Sequence, residues 1–283
     1  MSAPFFIDPA SLFEALLGTE PPFLIDVRRR ELVEESGALL PASRLGDHGA
    51  GEHLAGILGR DRAIVVACAH GRNRSQRLAA YLRSEGFAAG CLAGGYDAWV
   101  DAGLPTVKRR VAGFVLGERP TTWITRRRPK IDRVACRWLV TRFLDPGARF
   151  LFVDPDQVLA VAQDEGAIAY DCPGALLEHD GDLCTFDRIL TAFGLEADPH
   201  LTALAAIVRG ADTDRLDLAA QSAGLLAVSL GLSARFRDDD HAVLRHGFTV
   251  YDALYAWLRE AREERHNWPR SAASSATVAG GRS

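Results

Sequence analysis

Cys68, Gly71, Arg74 and Ser75 fall within eight residues, Cys68-Ala-His-Gly-Arg-Asn-Arg-Ser75, between an apolar run over 63–67 and a helical pattern over 75–85. The run predicts a strand, so the thiol lies in a strand-to-helix loop. Successive amide N–H groups in such a loop point inward, and with the helix dipole they favour an oxyanion and a thiolate. Arg74 carries a planar fork of donors that can clamp two oxygens of one anion. Gly71 permits the turn, because a side chain there would crowd the concavity and resist a left-handed backbone. Arg72, Asn73 and Ser75 complete the anion-binding set. His70 either raises the positive potential, carries protons, or is simply an exposed loop residue. For Cys68 the alternative is a buried structural thiol, the usual state of a free cysteine.

The flanking elements must position this loop. A capped, amphipathic helix over 8–18, a strand over 23–27, the strand before Cys68, the helix after it, a strand over 88–92 and a helix over 96–102 alternate regularly. Such alternation predicts an α/β fold, a parallel sheet flanked by helices, with Cys68 beyond the C-terminal end of its strand. Residues 28–51 read as irregular. Asp26 and Arg28 read as structural, the aspartate fixing backbone amides and the arginine pairing with Glu31 or Glu34. Cys91 reads as core, and a resolving role would require disulfide reach of Cys68.

The string CxxGxxRS is the arrangement used by cysteine-dependent phosphatases, but its surroundings resemble the rhodanese family. They are Leu24-Ile-Asp-Val-Arg28, Ile64-Val-Val-Ala-Cys68, the following helix, Gly94-Gly-Tyr-Asp-Ala-Trp99 and Gly103-Leu-Pro105, in the family's order. The resemblance covers the first hundred residues and implies sulfur transfer by Cys68 within an Arg74 cradle. Two features depart from it. The loop from cysteine to arginine has seven residues where most sulfurtransferases of the family have six, and Gly37-Ala-Leu-Leu-Pro41 replaces the usual Gly-His-Ile-Pro-Gly. The longer loop is similar to those of phosphatases and arsenate reductases on the same fold, which makes a tetrahedral oxyanion a second candidate occupant. Ala67 stands where classical phosphatases carry histidine, and no upstream acid can be assigned.

Beyond residue 120 the periodicity changes. Residues 109–120 read as a linker, 121–265 as a second, mainly α-helical domain, and 266–283 as a disordered tail. Ile131, Val134, Ala135, Trp138, Leu139 and Phe143 recur at helical spacing, and helices are expected from Asp198-Pro199 to Gly210, across 216–236 with glycine interruptions, and over 249–264. This half resembles the C-terminal domain of ChrB-type chromate-resistance proteins through Lys130-Ile-Asp-Arg-Val-Ala-Cys136, Ala148-Arg-Phe-Leu-Phe-Val153, Cys184-Thr-Phe-Asp187, Ile207-Val-Arg-Gly-Ala-Asp-Thr213, Asp240-His241 and Tyr251-Asp-Ala-Leu-Tyr-Ala-Trp257. The resemblance implies chromate resistance or sensing. Such proteins ordinarily carry a different N-terminal domain and are associated with gene regulation, so a rhodanese unit in its place argues against a DNA-bound regulator.

Two chemical sites are candidates in this half. Lys130, Arg133 and Arg137, amid Arg126 to Arg128, suit a sulfate-like dianion such as chromate, or form a solvated basic face. His179, Cys184, Asp212 and His241 are candidate ligands for a divalent metal, with Asp180-Gly-Asp182 as an ordinary turn and Cys184 as core on the other reading.

Five cysteines without a CxxC pair fit reduced thiols, and a net charge of -4 argues against a general nucleic-acid binder. Residues 1–17 lack the pattern of a signal peptide and no apolar run spans a bilayer, so a cytoplasmic protein is expected. The whole reads as a thiol enzyme, a sulfurtransferase or oxyanion-processing protein, taking a thiosulfate-like donor or chromate. The alternatives are a non-catalytic oxyanion sensor and a phosphatase-like activity.

Overall fold

The computed structural model describes residues 4–264; the segment expected to be a disordered tail lies outside them. The N-terminal half runs β1 (Phe6–Ile7), α1 (Pro9–Leu17), β2 (Phe23–Asp26), α2 (Arg30–Ser36), β3 (Ala38–Leu39), β4 (Arg44–Leu45), α3 (Gly51–Ile57), β5 (Ile64–Ala67), α4 (Asn73–Ser84), β6 (Ala89–Leu92) and α5 (Gly95–Asp101). β1, β6, β5, β2 and β4, in that order, form a five-stranded sheet in which every pairing is parallel. All four residues of β5 and of β6 are buried, as helices on both faces require. Asp8 starts α1 by accepting the Ser11 amide at 3.0 Å, with Pro9 at the first helical position.

The stretch over 28–51 is not irregular: it contains α2, α3 and two short strands. Val33 is the one buried residue of α2, and Gly51 that of α3, so neither helix carries an apolar period to read. Arg28 pairs with Asp26 itself, its Nε donating to Oδ2 at 2.8 Å, rather than with Glu31 or Glu34. Glu34 instead receives Arg109 and Arg110.

The expected linker is a packed connection. β7 (Val107–Lys108) pairs with β3, and β8 (Arg110–Val111) forms a hairpin with β9 (Phe114–Val115). Between them Arg109 is buried and bridges Glu34 and Glu118, which neutralise its charge away from water.

The C-terminal half is mostly helical around a small parallel sheet that the periodicity did not reveal. β10 (Thr122–Arg126) lies between β11 (Arg149–Val153) and β12 (Ile168–Ala169). The helices are α6 (Ile131–Leu139), α7 (Val158–Glu165), α8 (Thr185–Phe193), α9 (Pro199–Asp212), α10 (Ser222–Arg235) and α11 (Asp240–Ala256). π turns over Val140–Leu144 and Trp257–Ala261 extend α6 and α11. Gly224 and Gly231 do not interrupt α10, and α11 begins nine residues before the expected 249 (249 less 240), where Asp239 accepts the Ala242 amide at 2.8 Å. Gly247 marks the crossing of α11 and α6: a Cβ there would meet Val134 Cγ1 at 2.5 Å.

One hydrophobic cluster runs through both halves, from Leu12 and Trp99 to Trp138, Phe193 and Tyr255. At the junction the buried Asp145 accepts the Thr121 amide and hydroxyl, the Gly147 amide and Arg44 Nη2. The Ala42 amide donates to Phe143 O, and Arg142 to Gly18 O. Among the described residues no helix is long and apolar enough to cross a membrane.

Candidate functional site

The Cys68 loop is shaped by glycines on both sides. Gly71 has φ +64°, and a Cβ on it would lie 2.7 Å from both Gly94 N and Leu92 O. Gly94-Gly95 therefore packs directly on the loop, and the first amides of α5, Tyr96 N and Asp97 N, donate to Cys68 O and Ala69 O. With those carbonyls occupied, the Arg72 amide turns inward and donates to Cys68 Sγ at 3.3 Å. Ser75, in the first turn of α4, sets its hydroxyl 3.1 Å from the same sulfur.

Cys68 is 5% exposed, at the wall of a cavity of about 300 Å³ lined by Arg28, Arg29, Leu32, Arg72, Asn73 and Arg74 among others. No carboxylate lines it among the described residues. Burial pushes the thiol up, but the Ser75 hydroxyl and the backbone at Ser75, Arg72 and His70 outweigh it, and Cys68 titrates below the ordinary cysteine range. Cys91 goes the other way: burial raises it to about 11. Arg74 donates Nε to Val27 O at 2.8 Å, which anchors the guanidinium at the end of β2 on the cavity wall. No other hydrogen bond holds Arg74 among the described residues, so its terminal nitrogens have no hydrogen-bond partner there. The His70 ring is drawn off, with Nδ1 2.6 Å from Asp97 Oδ2 on α5; its contribution to the thiol is its backbone.

The second-domain cations are used separately. Lys130 is exposed just before α6. Arg133 lies 3.0 Å from Asp171 Oδ2 and donates to the carbonyls of Arg126 and Arg127. Arg137 is held between the Phe150 and Phe248 rings, with burial pulling its pKa down. These three do not form a common anion cradle.

Of the candidate metal ligands, the structure unites two and supplies a third. His179 Nε2 is 3.4 Å from Asp132 Oδ2, 3.5 Å from Asp212 Oδ2 and 3.3 Å from Asp171 Oδ1. Asp132, at the start of α6, is 2% exposed and accepts the Phe186 and Thr185 amides of α8 at 2.9 and 3.0 Å. The signal for it was a carboxylate four residues before Cys136 on a helix buried on two sides. His179 is raised to about 9 by its contact with Asp132, against burial and with help from Asp171 and Asp212. Asp212 is pushed up to about 6 by burial and by the charges of Asp132 and Asp171. Cys184 stays out of the cluster: it caps α8, with Sγ 3.3 Å from Asp187 Oδ2, and burial holds its thiol far above the usual range. His241 packs edge-on against Phe152 and lines a different cleft.

A strand-to-helix loop led by a cysteine, at the C-terminal edge of a five-stranded parallel sheet, defines a rhodanese-like unit. Residues 9–102 match the family model described as Rhodanese-like domain, and residues 123–258 the one described as ChrB, C-terminal domain. The chain thus joins a rhodanese-like domain to a ChrB C-terminal domain. Protein ChrB of Cupriavidus metallidurans is 33% identical over 174 residues, 59% of this chain and 52% of that protein. The chain therefore spans about half the length of this relative. Similar solved structures include a rhodanese-related protein from Thermoplasma volcanium (27% identity, 37% of this chain and 98% of that one, TM-score 0.33) and a rhodanese-like domain protein from Staphylococcus aureus (26%, 36% and 97%, TM-score 0.32).

Proposed function

We propose that the protein is a thiol-dependent sulfur-transfer enzyme serving chromate tolerance, with Cys68 as nucleophile and a thiosulfate-like donor as substrate. The supporting observation is a cysteine with a lowered pKa on the wall of a cavity rich in arginine and free of carboxylates. Its sulfur attacks the outer, sulfane sulfur of the donor. A new S–S bond forms on Cys68, the donor's S–S bond breaks, and sulfite leaves with that electron pair. Arg74 and the inward amides hold the negative charge throughout. An acceptor thiolate or cyanide then takes the outer sulfur and regenerates the Cys68 thiolate. The ChrB domain supports the link to chromate.

Mass spectrometry after exposure to thiosulfate tests this reading. One added sulfur on Cys68, absent from Cys68→Ser, is the expected result, and an unmodified Cys68 overturns it.

The seven-residue loop favours a second reading, a tetrahedral oxyanion such as chromate bound without turnover, which would make the domain a sensor. Saturable chromate binding to a protein inactive with thiosulfate and cyanide, and with chromate plus a thiol reductant, supports that reading. Phosphatase chemistry has less support, because the cavity offers no carboxylate to protonate a leaving group. No aryl phosphate hydrolysis is expected.

A further inference from the structure

We propose that Asp132, His179 and Asp212 form a binding site in the ChrB domain for a divalent first-row cation, with Mn²⁺ or Fe²⁺ best suited to its one-nitrogen, two-carboxylate donor set. This goes beyond the Cys68 chemistry and does not depend on it.

The geometry is that of ligands around a shared point. One atom from each of the three residues lies within 4.8 Å of the others. Ligands about 2.0–2.2 Å from a metal stand roughly 3.0–3.6 Å apart at ordinary coordination angles. His179 Nε2 keeps 3.4 and 3.5 Å from its two partners, at that spacing and beyond ordinary hydrogen-bond length. A single imidazolium N–H serving these acids would close on one oxygen; here it stays nearly equidistant from three.

The surroundings support an ion. The Thr185 and Phe186 amides fix the two carboxylate oxygens of Asp132, as outer-sphere groups orient metal ligands. Thr185 is wholly buried, and its hydroxyl has no hydrogen-bond partner among the described residues. That hydroxyl belongs to the residue whose amide is bonded to Asp132 Oδ2, a member of the cluster. Asp171 borders the site: its Oδ2 is taken by Arg126 and Arg133, and its Oδ1 lies 3.3 Å from His179 Nε2. The side chains of His179 and Asp212 are 39% and 21% exposed, so a cation can reach the site from solvent and keep open coordination positions.

The test uses the full chain, stripped with a chelator and titrated with Mn²⁺, free ion being read by electron paramagnetic resonance. One Mn²⁺ per chain is expected, displaced by Fe²⁺ or Zn²⁺. Affinity should fall at least about tenfold in His179→Ala and in Asp212→Asn, and stay unchanged in His241→Ala. Far-UV circular dichroism identifies any variant that has lost its fold, and His179→Gln replaces it. Absence of saturable uptake by the wild type, or equal affinity in folded His179 and Asp212 variants, overturns the proposal and leaves the cluster an ion pair. Sulfur transfer by Cys68, measured on the same stripped protein, reports separately on the N-terminal site.

Discussion

Cys68 accepts the Arg72 amide and meets the Ser75 hydroxyl, and both stabilise the thiolate more than the thiol. Alkylation by iodoacetamide should therefore rise with pH at lower values for Cys68 than for an ordinary cysteine, since the thiolate is the reactive form. Ser75→Ala should move that midpoint upward, because it removes the largest of the lowering influences. Arg74→Lys is not a conservative change: it loses the planar fork and the Nε bond to Val27 O. A fall in kcat/KM for thiosulfate of roughly tenfold or more is expected, equivalent to about 1.4 kcal/mol of transition-state binding. The cysteine, arginine and serine could be found without coordinates because a strand-loop-helix places neighbours in sequence as neighbours in space. His70 could not be assigned, because its ring orientation depends on Asp97 from a later helix.

Among the elements, the loop and α5 interlock where Gly71 meets Gly94 and Leu92. Gly71→Ala must carry a left-handed φ and press a methyl group on backbone atoms that cannot yield. A loss of roughly 2 kcal/mol or more in urea unfolding is expected, together with loss of thiosulfate activity. The strands around Cys68 and the helix after it were legible from apolar runs and period. α2 and α3 were not, since each buries a single residue. β10 was missed because it carries Thr122, Thr125 and Arg126 beside two apolar residues, and its strand character depends on its two sheet neighbours.

At the scale of the whole molecule one hydrophobic cluster spans both halves, and Asp145 ties them to the connection between them. Asp145→Ala leaves a half-buried guanidinium, two amides and a hydroxyl without their acceptor, at a cost of about 3 kcal/mol. Because Trp99 and Trp138 belong to one cluster, tryptophan fluorescence and far-UV circular dichroism should report coincident thermal transitions in the wild type, and calorimetry one peak rather than two. The strand-to-helix loop led by Cys68 and the relation of each half to its family were determined by sequence alone, because they rest on contacts between near neighbours and on contiguous motifs. Tertiary structure alone decided that the connection is a packed hairpin, that Cys184 and His241 stand apart, and that Asp132 joins His179 and Asp212. Those three residues come from separate stretches of chain, and only the packing of α6 against α8 and α9 brings their charges together.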